Sequence, residues 1–279
     1  MFRIIVFILI LFLTGCVKEN EIPAYIHIEP ITMTVTGGQG TALHKMIDAH
    51  VFIDNENRGT YQLPAKIPML NTGQHTITIL PGIRNNGIKA NPIPYAFAQR
   101  YEKILNLSAA KVDTIRPVTR YTNDTNIKMI ENFEAGSHLF NSHRDQNVTL
   151  LITTEAGGLE GKAGKIVLDQ TNKVMIKSTS SRYTFPTDAQ NIYIELNYKT
   201  DVPLSVGFTG FKQASGSAGE DNFPVVLYPK KEWNKTYINI TNEVKASKSI
   251  EFQVTMGALL PDTLTTGTIW FDNIKLLQR

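Results

Sequence analysis

The chain has 279 residues, 42% of them hydrophobic, and its 28 basic and 25 acidic residues leave a net charge of +3. A single cysteine rules out an intramolecular disulfide. No basic run is long enough to track a phosphate backbone, which excludes nucleic acid as a partner.

Met1, Phe2 and Arg3 make a short positive start, and Ile4 to Leu13 are then all apolar. A bilayer span needs about 20 apolar residues. The ten present fit the hydrophobic region of a secretory signal. Leu13-Thr14-Gly15-Cys16 closes the run. This order of an aliphatic residue, two small residues and cysteine resembles the bacterial lipobox. The resemblance implies that residues 1–15 are a signal peptide removed on export. It also implies that Cys16 is acylated and becomes the first mature residue, so that the membrane is a partner through a lipid anchor. Burial of acyl chains contributes about 0.8 kcal/mol per CH₂, and more than one chain gives stable attachment.

Residues 16–21 then form the anchor and its tether. "VKENE" (17–21) lacks an aspartate directly after the cysteine. Its lysine followed by acidic residues resembles the export signal of surface lipoproteins in some Gram-negative bacteria. That implies an outer-membrane lipoprotein on the cell surface. With Cys16 acylated, no thiol is left for a metal, and the fold must stand on its hydrophobic core.

Removing 15 residues leaves 264, room for two domains. Helical periodicity is nearly absent. Short alternating runs separated by Gly, Pro and Asn predict an all-β protein. In chain order they include "HVFID" (50–54), "HTITIL" (75–80), "NIYIELNYK" (191–199), "IEFQVTM" (250–256) and "TIWFDNIKL" (268–276). The irregular "YAFAQRYEKILNLSAA" (95–110) is read as strand and loop.

Residues 22–118 form the first domain. A strand ends at Ile53, Asp54-Asn55 turns, and Gly59 leads a return strand. Pro64 and Pro68 limit pairing, as on an edge strand. Asn71-Thr72-Gly73 turns again into a strand from Gln74. The V-x-I-D-x-x-x-x-G layout and the later L-x-x-G-x-H-x-I-x-I resemble the PEGA-type small β-sandwich, which implies a spacer or adhesion module without catalytic residues. Residues 119–130 lie in the polar stretch "RPVTRYTNDTNIKMI" and are read as a linker.

Residues 131–279 form the second domain. It opens with "ENFEAG", continues through a Gly-Lys-x-Gly-Lys lead-in to a strand and "EWNKTYINI" (232–240), and closes on "DNI" (272–274). This order resembles the galactose-binding-like jelly roll of many carbohydrate-binding modules. The expected architecture is therefore a small N-terminal β-sandwich followed by a C-terminal jelly-roll β-sandwich.

Strand alternation sorts the side chains. Ile192, Ile194, Leu196 and Tyr198 share one face, and Tyr193, Glu195, Asn197 and Lys199 share the other. Ile250, Phe252, Val254 and Met256 oppose Glu251, Gln253 and Thr255. Trp270 points away from Ile269 and Phe271 and joins the polar set. An aromatic ring among amides and carboxylates suits sugar recognition: the ring packs on C–H patches and the polar groups bond hydroxyls. Trp270, Tyr193, Glu195, Asn197 and Gln253 are the candidate ligand-binding residues. The same face also reads as an ordinary polar surface. Trp233, just before a strand, resembles the packing tryptophan of jelly rolls and is expected in the core. The Gly/Ser-rich 214–222 loop either rims the polar face or is a plain loop.

The jelly-roll resemblance also implies one structural calcium ion, with Glu131, Glu134 and Asp272 at the matching places. Carboxylates suit a hard cation, but backbone carbonyls must complete the set. No organic cofactor is expected. "GGLEGKAGK" (157–165) does not have the G-x₄-G-K-[ST] spacing of a phosphate loop. No H-E-x-x-H or G-x-S-x-G occurs. Glycosidase carboxylates come from distant strands and leave no local signature, so the reading as a non-enzyme rests on the resemblance. The leading expectation is a lipoprotein presenting a non-catalytic glycan-binding jelly roll. The alternative is a structural or accessory subunit docking on envelope protein, with a glycosidase or esterase a third reading.

Overall fold

The computed structural model describes residues 22–70, 72–144, 148–155, 159–214 and 218–279. Cys16 and the tether up to Glu21 lie outside them. The described chain is nearly all β, with 21 strands and one short helix, α1 (Thr241–Ser247).

Two sheets build the first domain. One orders β4 (Glu56–Gln62), β3 (Asp48–Ile53), β6 (Gly73–Arg84) and β7 (Pro92–Pro94), with β8 (Tyr101–Leu107) also on β6. The other orders β5 (Ala65–Met69), β1 (Ala24–Ile28) and β9 (Val112–Ile115). Alternation closes Ile26, Ile28, Val51, Ile53, Ile77 and Ile79 between them. Asp54 and Asn55 take φ of 49° and 69°, the left-handed pair that a tight β3–β4 hairpin needs, and the Asp54 carboxylate accepts the Thr76 amide at 2.9 Å. Pro64 stands just before β5 and Pro68 within it, and β5 lies at a sheet edge, where a missing N–H costs no ladder bond.

The second domain is a sandwich of two larger sheets. The front sheet orders β13 (Leu151–Thr153), β14 (Ala163–Asp169), β21 (Thr266–Gln278), β16 (Ile192–Thr200) and β19 (Lys230–Asn239). The back sheet orders β12 (Ser142–His143), β15 (Val174–Ser178), β20 (Glu251–Leu259), β17 (Leu204–Phe211) and β18 (Glu220–Leu227). Between them lie Ile192, Ile194, Leu196, Phe208, Val254 and Phe271.

The stretch read as a linker is largely built in. β10 (Val118–Thr119) pairs with β2 (Thr32–Met33) in the first domain, Tyr121 is buried, and β11 (Asn126–Glu131) pairs with β21 in the second. Its apolar residues Tyr121, Ile127 and Met129 find burial on both sides of the junction, so polarity alone was a poor guide to a free linker.

Candidate ligand-binding surface

Alternation places Tyr193, Glu195 and Asn197 on the outer face of the front sheet, as expected, but half of that face is covered. The first domain lays Met33, Met46, Ile83, Tyr95 and Phe97 against Tyr193, Tyr237 and Leu277. Tyr95 and Tyr237 meet at 4.8 Å between ring centroids, and Phe97 meets Tyr193 edge-on at 5.5 Å.

Glu195 sits at the centre of this junction. Its Oε1 accepts from the Tyr95 hydroxyl at 2.5 Å and the Tyr121 hydroxyl at 3.0 Å, and its Oε2 lies 2.8 Å from Lys235 Nζ. Lys275 Nζ donates to Thr41 O at 3.0 Å and to the Tyr121 hydroxyl at 3.1 Å. Burial alone would push the Glu195 carboxyl up, but Lys235, Lys275 and the hydrogen bonds bring it down to about 2. Burial and the adjoining carboxylate raise the Tyr95 phenol, so it stays a donor. Tyr193 and Glu195 thus join two domains and do not face an open groove. Asn197 is buried beside them.

Gln253 belongs elsewhere. It lies on β20 of the back sheet, where its Nε2 donates to Thr179 O at 2.6 Å. The outer faces of a two-sheet sandwich point in opposite directions, so Gln253 does not share a surface with Trp270. Alternation fixes a face within each strand but does not tell which sheet a strand joins.

The open half of the front face carries a different set. Trp270 on β21 pairs with Lys165 on β14 and with Lys199 on β16. Lys199 Nζ lies 4.8 Å from the Trp270 ring centroid. On the far side of β16, Tyr198 pairs with Asn234 and Thr200 with Lys230, and the register shifts between these two pairs, so that Trp233 stands in an irregular stretch of β19 next to Asn234. Trp233 is half-buried like Trp270. It is not part of the sandwich core, contrary to expectation. The result is a cross-strand row of Lys165, Trp270 and Lys199 on β14, β21 and β16, with Trp233 on the adjoining strand β19 near its end.

Behind this row, Asn197 and Asp272 pair across β16 and β21. Asn197 Oδ1, Asp272 Oδ2 and Trp270 Nε1 are buried without a hydrogen-bond partner among the described residues. Burial pushes the Asp272 carboxyl up to about 7, helped by Glu160 and Glu134 and opposed by the Asn273 amide and Lys235. A carboxyl that keeps its proton in the fold to about pH 7, but loses it near 3.8 unfolded, favours folding less as pH rises between those values. An Asp272→Asn variant should remove this fall, which is at most about 4 kcal/mol across the window and is reduced by solvent screening. Denaturation midpoints at pH 4 and pH 8 for both proteins check it.

Glu131, Glu134 and Asp272 do not converge. Glu131 Oε1 accepts the Phe133 amide at 2.7 Å and Oε2 the Leu139 amide at 2.6 Å, which folds the loop back on itself. Phe133, at φ 56°, fills the core against Gly164, where a Cβ would stand 2.7 Å from the ring. Glu134 turns to the Lys162 amide at 2.6 Å. Among the described residues, no three carboxylate, histidine or cysteine side chains gather at metal-binding distance. The three carboxylates therefore do not fit one calcium cage.

No family model matches the chain, and no curated protein matches it in sequence. Among solved structures it is similar to a family 29 carbohydrate-binding module complexed with cellulohexaose, at 10% identity over 56% of this chain and 93% of that one, TM-score 0.36. It is also similar to the family 30 carbohydrate-binding module of a cellulosomal cellulase of Clostridium thermocellum, at 12% identity over 53% and 96% of the two chains, TM-score 0.39.

Proposed function

We propose that the second domain is a non-catalytic glycan-binding module whose ligand lies along the Lys165, Trp270, Lys199 and Trp233 row. The observation that carries this reading is the half-buried indole of Trp270 on the part of the front sheet that the first domain leaves uncovered, flanked in register by Lys165 and Lys199, with the second half-buried indole, Trp233, on the next strand. Each indole offers a flat apolar face for the C–H side of a pyranose ring. Lys199, over the Trp270 ring, supplies a movable donor for hydroxyls, and the Lys165–Glu155 ion pair at 2.7 Å offers a donor and an acceptor on the other side. Strand pairing fixes Lys165, Trp270 and Lys199 side by side, so little ordering of these is needed on binding. A glycan array probed with the full chain tests the reading: bound polysaccharides should release when Trp270 is replaced.

In this proposal the module is held at the outer face of an outer membrane by acyl groups on Cys16, and the first domain acts as its spacer. The support is the sequence order of Arg3, apolar run and Leu-Thr-Gly-Cys. Cys16→Ser should abolish incorporation of a fatty-acid analogue and leave the uncleaved form. Intact cells treated with protease should lose the parent protein. Replacing Lys18, Glu19 and Glu21 with alanine should protect it.

A further inference from the structure

A cleft of about 590 Å³ opens beside β19, between the two domains. The first domain supplies Lys45, Arg84 and Lys89, and the second supplies Lys230 and Lys235. No carboxylate lies among its described lining residues. Two of the five cations are compensated from behind: Arg84 by Asp48 at 2.7 Å, and Lys235 by Glu195 at 2.8 Å. Lys45 Nζ donates only to the neutral Asn234 side chain. Lys89 and Lys230 have no side-chain ion pair among the described residues. Three positive charges therefore face one concave space without a counter-charge.

Burial lowers the Lys45 ammonium, and Lys230 lowers it further. Such a pair favours an anion between them. The rest of the lining is suited to a sugar. Asn86, Asn234 and Gln62 offer amides, and Tyr228 stands at the rim with 75% of its surface exposed. The volume falls in the range of small-molecule sites, about 300–1,000 Å³. Its enclosure by two domains suits a compact unit better than a phosphate backbone, which needs an open track.

We infer that this interdomain cleft binds a saccharide unit carrying a carboxylate or sulfate group, with Lys45, Lys89 and Lys230 receiving the anion and Tyr228 covering the ring. The cleft adjoins the Trp233 end of the front sheet but is lined by neither tryptophan, and it needs both domains to form.

The test is affinity electrophoresis and calorimetry of the full chain with polygalacturonate, dextran sulfate and a neutral hexasaccharide. At least one of the two anionic glycans should bind, and the tighter one identifies the substituent. Lys89→Ala with Lys230→Ala should weaken that binding at least tenfold, while Trp270→Ala leaves it in place. Exposed Lys103 and Lys111, on the first domain outside the cleft, control for bulk charge: replacing both with alanine should change nothing. The inference is overturned if neither anionic glycan binds, or if the control pair weakens binding as much as the cleft pair. It is also overturned if anionic phosphatidylglycerol vesicles, and not the glycans, show the Lys89 and Lys230 dependence. Failure of the tryptophan row appears separately, as a neutral glycan indifferent to Trp270.

Discussion

A Glu195→Ala variant is expected to lose about 3–5 kcal/mol of stability, because removing one partner of a buried ion pair leaves the other uncompensated. Here the stranded groups are Lys235, 2.8 Å from the carboxylate, and Lys275, whose ammonium burial already lowers to about 8. The Tyr95 and Tyr121 hydroxyls lose their shared acceptor in the same step. Denaturant titration measures the loss. The pH dependence has a definite sign. The carboxyl titrates near 2 in the fold and near 4.5 unfolded, so its contribution is complete above about pH 4.5 and disappears as pH falls toward 2. The variant should lack that part of the acid transition. Unchanged stability together with lost glycan binding would mean that Glu195 meets ligand and not the first domain.

Replacing Trp270 should act in the opposite way. Truncating a central binding aromatic commonly costs at least about 2 kcal/mol, roughly thirty-fold in affinity. Trp270→Ala should therefore weaken neutral-glycan binding about that much. It leaves the sandwich core intact, since Ile269 and Phe271 face inward on either side of it. Trp233→Ala should also weaken binding, with a stability loss well below the few kcal/mol of a core aromatic. Lys199→Ala separates stacking from charge: it uncovers the Trp270 ring and removes one donor, so it should reduce affinity less than loss of the ring. If Trp233→Ala unfolds the domain while binding by Trp270→Ala is unaltered, the row is structural.

The all-β class and the inward face of each strand were legible because period-two alternation is a local property. Ile192, Ile194 and Leu196 could be assigned inward without knowing any neighbour. What covers an outward face is not local. Tyr193 and Glu195 read as ligand groups because nothing in 191–199 records that Tyr95 and Phe97, about a hundred residues earlier, close over them. A signal was present in the aromatic-rich 95–101 segment and in Tyr121, whose bulk is more than a solvated linker requires. Sheet membership was equally hidden. β20 and β21 are neighbours in sequence but belong to opposite sheets, which separated Gln253 from Trp270. The Glu131 carboxylate was read by type as a cation ligand, whereas two nearby amides use both of its oxygens.

The central claim, that glycan is held on the tryptophan row, has a direct probe because the chain contains only two tryptophans. A ¹H–¹⁵N spectrum of the full chain should show two indole N–H signals, assignable with the Trp233 and Trp270 variants. Titration with a panel of neutral hexasaccharides should shift both signals in step with the calorimetric binding curve. A hexasaccharide that binds while both indole signals stay fixed would contradict the account.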